Sequence, residues 1–494
     1  MGRLLRPALL ACALPLSLAT IVLCFSGRWP WYPSLPVAVA LAGAVAGAAP
    51  LRRRPMLFAA AVAYVALILA AEPLGRLLRP LPPSWLWAGG GLAVATLVIW
   101  RTHGAAEDLR PAVRLGTAGL GRPVTVGLDD RFLHMHVLGP TGSGKTRGVL
   151  WPLVRQDIRL GHGLLLLDPK GDLARPAVGE ARRLGRKVTD LAPATLPELG
   201  LDPFAGAPER AAETVAYALF GAFPSQHEFY RSVGQAMLRH AALALKEAMG
   251  DPTLLDLAQF LRDEEMRREV LLAARSGHVR AYFRDEVGSW SPRFRQDAFI
   301  GVQSALSEIL AHPWARALFT QRPACDFDRL LAEGDMLCLE LPEGEIGLGA
   351  RAIGAFALLL FQAAALRRTE GPAAFVYADE FQTFAQADFG SFLAQARSHR
   401  VGAILAHQHL GQLNPGLRLA VLANARNRVL LGGLSREDLE QLRESLGERP
   451  SDARPERPRF SYETVRRLPR GRAIGELAHR GQIRAPLLVW LPRG

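Results

Sequence analysis

Cysteine is scarce, with four in 494 residues: Cys12, Cys24, Cys325 and Cys338. None stands in C-x-x-C or Cys/His ligand spacing, which excludes a zinc module and a disulfide framework. All four are expected to be buried small hydrophobes in a reducing compartment. No internal repeat is visible, which excludes a solenoid or propeller. No interleaved aromatic and basic run of the kind that stacks single-stranded nucleic acid can be read either. Acids are nearly missing from one end: residues 1–101 hold Glu72 alone against nine arginines. That stretch carries a net +8 of the chain's +13, so the other 393 residues carry only +5. The basicity therefore belongs to the N-terminal end, and charge alone does not argue for nucleic acid.

Long apolar runs fill that end: Pro7–Phe25, Leu35–Ala49, Met56–Ala71 and Trp85–Trp100. Several fall short of the ~20 residues that span a bilayer comfortably, but Trp29, Trp31, Tyr32, Trp85, Trp87 and Trp100 supply interfacial flanks. Arg3 and Arg6, then Arg52–Arg54, then Arg101 fall on one side of a four-span topology, with both ends in the cytoplasm. Arg76 and Arg79 blur the signal. A cleaved signal peptide over residues 1–26 is the competing reading, and no clear small-x-small site follows the first run. Residues 1–101 are accordingly expected to form a membrane region with about four transmembrane helices.

Beyond Arg101 the composition becomes globular. Arg101–Arg122 reads as a connector into a short strand, Pro123–Gly127. Apolar strands then alternate with helical stretches: Leu133–Leu138, Gly163–Leu167, Lys187–Leu191, Met336–Leu341, Ala374–Ala378, Ala403–Ala406 and Arg428–Leu431. Such alternation predicts an α/β fold with a mainly parallel sheet. Strand signals vanish between about Ala207 and Arg329, where Glu209–Phe220, Glu228–Met249, Leu254–Arg262, Glu264–Ser276 and Arg293–His312 read as helices. The expected division is a nucleotide-binding domain over 102–206 and 330–494, interrupted by an all-α domain over 207–329. Glu448–Arg459 reads as a surface loop, and Gly471–Pro492 as a terminal hairpin.

Chemistry enters at Gly139-Pro140-Thr141-Gly142-Ser143-Gly144-Lys145-Thr146, which fits the phosphate-loop pattern G-x-x-x-x-G-K-[ST]. It follows a strand and opens a helical stretch, Lys145–Ile158. Glycines let backbone N–H groups curl around a phosphate, and the helix turns its positive end toward the anion. Lys145 supplies charge for the β/γ-phosphates and the Thr146 hydroxyl can ligate Mg²⁺. These residues predict binding of a nucleoside triphosphate, ATP with Mg²⁺. A second signal is the apolar strand Phe375-Val376-Tyr377-Ala378 ending in Asp379-Glu380. Asp379 can hold Mg²⁺ through water, and Glu380 can polarise an attacking water, so hydrolysis is expected. Leu164–Leu167 leads into Asp168-Pro169-Lys170-Gly171-Asp172, which is either a nucleotide-facing edge or a well-built turn.

Taken in order, these motifs resemble a known family. The phosphate loop, Asp168–Asp172, a helical insert, Ala378-Asp379-Glu380 and Leu405-Ala406-His407-Gln408 are similar to the TraG/TraD-type coupling proteins of conjugation and type IV secretion. Leu201–Phe204 and Phe229–Ser232 resemble the entrance to that family's all-α domain. The resemblance spans Val137 to Leu442. It implies a RecA-like motor related to FtsK and HerA pumps, forming a homo-hexamer at the bacterial inner membrane with its ATPase domain cytoplasmic. It implies that Gln408 senses the γ-phosphate and that Arg397 acts in trans on a neighbour's nucleotide, with Arg400 a competing candidate. Asn424 and Arg428 match family-like positions without assigned roles. The family usually carries two spans around a longer periplasmic segment, so four spans with short loops depart from it. Some members also end in a long acidic tail, which this chain lacks.

The implied function is a membrane-anchored ATPase delivering DNA, single-stranded and with an attached relaxase-type protein, to a type IV secretion channel. A double-stranded DNA pump of the FtsK/HerA kind, a receptor for protein effectors, and a scaffold with a nucleotide switch remain alternatives.

Overall fold

The computed structural model describes residues 112–119, 121–222, 228–385, 389–447 and 459–492, all within one compact unit, Arg110–Gly494. An antiparallel pair, β1 (Ala112–Ala118) and β2 (Arg122–Gly127), opens it. Seven strands follow: β3 (Met135–Leu138), β4 (Gly163–Asp168), β5 (Val188–Leu191), β6 (Met336–Glu340), β7 (Ala374–Ala378), β8 (Val401–His407) and β9 (Asn427–Leu431). They pair in parallel throughout. The chain closes with β10 (Arg472–Glu476), β11 (Ala478–His479), β12 (Gln482–Ile483) and β13 (Leu487–Trp490). Eleven strands make one sheet in the order β2-β1-β13-β10-β9-β3-β8-β7-β4-β6-β5, and β11 pairs with β12 separately.

Why these residues form a two-sided sheet is visible in β4. A parallel strand is covered on both faces, so an unbroken apolar run suits it better than alternation. All six positions of β4 are buried. Leu164 and Leu166 enter one core, with Val149–Ile158 and Leu173–Ala181. Leu165 and Leu167 enter the other, which runs without a break into the helices of residues 208–320 and 348–367. The result is a mainly parallel α/β sheet with helices on both faces, as the alternation predicts.

Between β5 and β6 the described chain contains helices and no strand, the longest being Glu228–Met249 and Pro292–Ile309. Helix Leu348–Arg367 is long and apolar enough to cross a membrane. It is instead enclosed by this core, which explains why it is apolar all round. The expected spans of residues 1–101 lie outside the described residues, as do Cys12, Cys24 and nearly all of the Glu448–Arg459 loop.

Three local expectations need correction. Ala112–Ala118 is a strand, not a connector. Val113 and Leu115 point inward while Arg114 points out, and the pairing slips between Arg114 and Gly116, so the alternation is short and broken. The helix after the phosphate loop does not run regularly from Lys145. A widened π turn spans Lys145–Leu150, and an α-helix spans Trp151–Leu160. Pro152 has no N–H to give, and its ring displaces the α-helical carbonyl four residues back. Finally, Cys325 is only half-buried, although Cys338 is fully buried as expected.

β7, an interior strand two places from β3, is anchored by a buried network. Arg131 donates to both Asp157 carboxylate oxygens (2.5 and 2.6 Å) and to the Tyr377 hydroxyl (3.0 Å). Tyr377 in turn donates to Asp157 at 2.5 Å, and His162 bonds the same carboxylate at 2.8 Å. A buried pair satisfied this fully fixes the strand that presents the acidic residues.

Candidate nucleotide site

β3 delivers the phosphate loop at the carboxyl edge of the sheet, where α/β ligands bind. A β-carbon on Gly139 would lie 2.7 Å from Ser143 Oγ and 2.9 Å from Leu431 Cβ, so only glycine fits there. Gly144 has φ +99°, in the left-handed region that a side chain disfavours. The Lys145 amine curls into the loop and donates to the Gly139 carbonyl at 2.5 Å. Burial pushes its pKa down, against the opposing pull of Glu380 and Asp379. Ser143 Oγ is buried with no hydrogen-bond partner, a polar atom facing into the cradle.

Thr146 Oγ1 donates to Asp379 Oδ2 at 2.7 Å. The two side chains expected to share a magnesium ion, 233 residues apart in sequence, are therefore adjacent. Burial raises the Asp379 pKa, the direction a cation would reverse. Cradle, lysine and paired oxygens all fit a magnesium nucleotide.

Glu380 follows in the left-handed region, φ +50° and ψ 48°. A non-glycine residue held there costs free energy and marks a backbone constrained to aim its side chain. Both carboxylate oxygens are gripped by amides: Gln408 Nε2 donates to Oε1 and Gln382 Nε2 to Oε2, each at 3.0 Å. β8 lies between β3 and β7. Its end therefore places Gln408 between the phosphate loop and the acidic pair.

The remaining candidates sort differently. Asp168 is consumed by its own turn, accepting from the Lys170, Leu173 and Ala174 N–H groups at 3.0, 2.7 and 2.8 Å. Lys170 and Asp172 are exposed beside it. Arg397 and Arg400 are exposed and precede β8, at the opposite end from Gln408. Seven residues at roughly 3.3 Å each put them about 20 Å from the loop of their own chain. Asn424 donates to the Ala420 carbonyl of its own helix. Arg428 ties Ser445, Glu476 and the Leu422 carbonyl together, so both are structural here.

Two site residues escaped the sequence reading. Gln382 reaches Glu380 only because of the left-handed turn. Arg470, from the segment before β10, brings its Nη2 to 3.1 Å from where a Gly142 β-carbon would stand. A basic run near the C-terminus carries no signal that one member covers the phosphate loop.

Residues 106–279 match the family model for type IV secretory system conjugative DNA transfer. No curated protein sequence matches the chain. Among solved structures, the plasmid coupling protein TrwB bound to the non-hydrolysable GTP analogue GDPNP is similar at 19% identity and TM-score 0.59, over 78% of this chain and 90% of that one. TrwB with ADP and Mg²⁺ is similar at the same identity, score and coverage. VirB4 of Thermoanaerobacter pseudethanolicus is similar at 15% identity and TM-score 0.53, over 78% of this chain and 98% of that one. At such identities the likeness concerns the fold. The matched region, residues 106–279, is similar to the conjugative DNA transfer family of type IV secretion, and the fold is similar to that of the coupling protein TrwB.

Proposed function

We propose that this chain is an ATPase motor that moves DNA toward a type IV secretion channel. The observation that carries hydrolysis is the joint geometry of Thr146, Asp379, Glu380 and Gln408. The triphosphate lies along the Gly139–Thr146 backbone, with Lys145 exchanging its loop carbonyls for phosphate oxygens. Thr146 and Asp379 would hold Mg²⁺, which would supply positive charge against the triphosphate. Glu380 accepts the proton of the attacking water, and its two amide partners fix where that water stands. Gln408 can turn its amide between Glu380 and the γ-phosphate, since it both donates and accepts.

DNA as cargo is supported by the matched family region. We further propose a homo-hexamer. Arg397 is about 20 Å from its own loop, so it serves catalysis only on a neighbouring subunit's nucleotide, where a guanidinium stabilises developing charge. The N-terminal runs are proposed to anchor the ring in the bacterial inner membrane with about four spans, ATPase domain cytoplasmic. Single-stranded DNA with a relaxase-type protein is the proposed load. Plasmid transfer from cells carrying Lys145→Ala tests this reading. Transfer should be abolished with the protein still present, and normal transfer would remove the motor from the pathway.

A further inference from the structure

Two buried histidines sit under the site and belong to neither the phosphate nor the acid chemistry. His136 on β3 and His407 on β8 meet through their Nε2 atoms at 2.6 Å, rings stacked with centroids 4.9 Å apart. Both residues are fully enclosed. His407 touches every working part nearby. Its carbonyl accepts the Gly139 N–H at 3.3 Å. Its ring meets Phe381, the residue after Glu380, edge-on at 5.1 Å. Its Nδ1 bonds the His409 carbonyl at 3.0 Å, across the peptide that bears Gln408.

The tautomers follow from that carbonyl. An oxygen without a proton requires Nδ1–H on His407, which leaves its Nε2 as acceptor. His136 must then carry its proton on Nε2 and donate it. Its own Nδ1 is left bare, and that atom is the one with no partner. Burial favours the neutral rings this needs. It holds His407 down to about 4 and, with His407 and Arg428 adding to it, puts His136 well below the ordinary range. The His409 carbonyl, Glu380 and Asp438 pull His407 the other way, whereas the Lys145 charge adds to the lowering.

We propose that His407 is a positioning residue for Gln408, locked in one tautomer and one ring orientation by the Nε2–H of His136. Loss of that donor frees the ring to turn, the His409 contact loosens, and the amide of Gln408 no longer stays on Glu380. The Gln408 and His409 N–H groups are also held by Gln412 Oε1 (2.9 and 3.2 Å), so the loop loosens without unfolding.

This role rests on the proposed ATP hydrolysis, and the test separates the two. With the purified full-length chain, kcat, KM for ATP, affinity for a fluorescent nucleotide and the melting temperature are measured for H136N, H136Q and H407N. Glutamine reaches the Nε2 position and keeps the donor, whereas asparagine is too short. H407N keeps a donor toward His409 and deletes the acceptor for His136, so it replaces H136N should the latter fail to fold. H136N and H407N should lose about tenfold in kcat, the scale of one positioning hydrogen bond, with KM and nucleotide affinity unchanged. H136Q should stay within about twofold of the unaltered chain. An unchanged kcat in H136N or H407N, an H136Q as slow as H136N, or losses that track melting and nucleotide affinity would overturn the positioning role. Absence of turnover in the unaltered chain would instead overturn the hydrolytic reading, and the positioning role with it.

Discussion

Gln408 donates its side-chain amide to Glu380 Oε1 at 3.0 Å, joining the end of β8 to the end of β7. The residue expected to read the γ-phosphate thus holds the residue expected to activate water. Glu380→Gln should therefore bind ATP normally and lose about 10²–10⁴-fold in turnover, the usual worth of a positioned base. Gln408→Ala should lower kcat without raising KM. Single-turnover hydrolysis beside equilibrium nucleotide binding checks both, and unchanged turnover in Glu380→Gln would remove it from the base role.

Arg470 covers Gly142 from the C-terminal segment. Arg470→Ala should weaken nucleotide binding by about tenfold, the loss of one exposed charge-assisted contact, and Arg470→Lys should recover part of it. Titration with a fluorescent nucleotide reads this directly. Equal affinity in all three chains would leave Arg470 a surface residue.

Arg397 stands across the sheet from its own site, so its defect is expected to be complemented. Subunits carrying Arg397→Ala mixed with subunits carrying Lys145→Ala should regain part of the ATPase activity that neither shows alone. Recovery should peak at intermediate ratios. No recovery at any ratio counts against action between subunits, and the same experiment with Arg400→Ala decides between the two arginines.

The Arg131–Asp157–Tyr377 network gives a stability test away from the chemistry. Asp157→Asn leaves Arg131 buried without its counter-charge and should cost about 3–5 kcal/mol in denaturant unfolding. Burial alone would raise the Asp157 carboxyl, but Arg131 outweighs it and, with His162, holds the group below its ordinary range. Such an acid stabilises the fold above its unfolded value of about 3.9, and the gain disappears as pH falls through the folded value. The unaltered chain should therefore weaken below about pH 4 where Asp157→Asn shows a flatter limb.

The phosphate loop and the acidic pair were legible in sequence because their chemistry leaves few choices: glycine where a side chain collides, lysine for charge, carboxylates at a strand end. The seven parallel strands were legible because double-sided burial demands unbroken apolar runs such as Leu164–Leu167. What stayed hidden depends on strand order and backbone hand. Gln382 meets Glu380 through a left-handed turn. His136 meets His407 because β3 and β8, 271 residues apart, happen to be neighbours. Asp168 could have faced nucleotide or its own turn, and three backbone N–H groups decide for the turn. β1 was missed because its alternation breaks after two inward residues.

The central claim is that ATP hydrolysis at Lys145, Asp379 and Glu380 drives DNA movement. Steady-state ATPase of the purified full-length chain, alone, with single-stranded DNA and with double-stranded DNA, tests it most directly, with Glu380→Gln as the blank. The account predicts turnover stimulated by single-stranded DNA and absent in Glu380→Gln. Stimulation by double-stranded DNA only would change the cargo. Turnover indifferent to DNA, from a chain that stays monomeric, would contradict the claim.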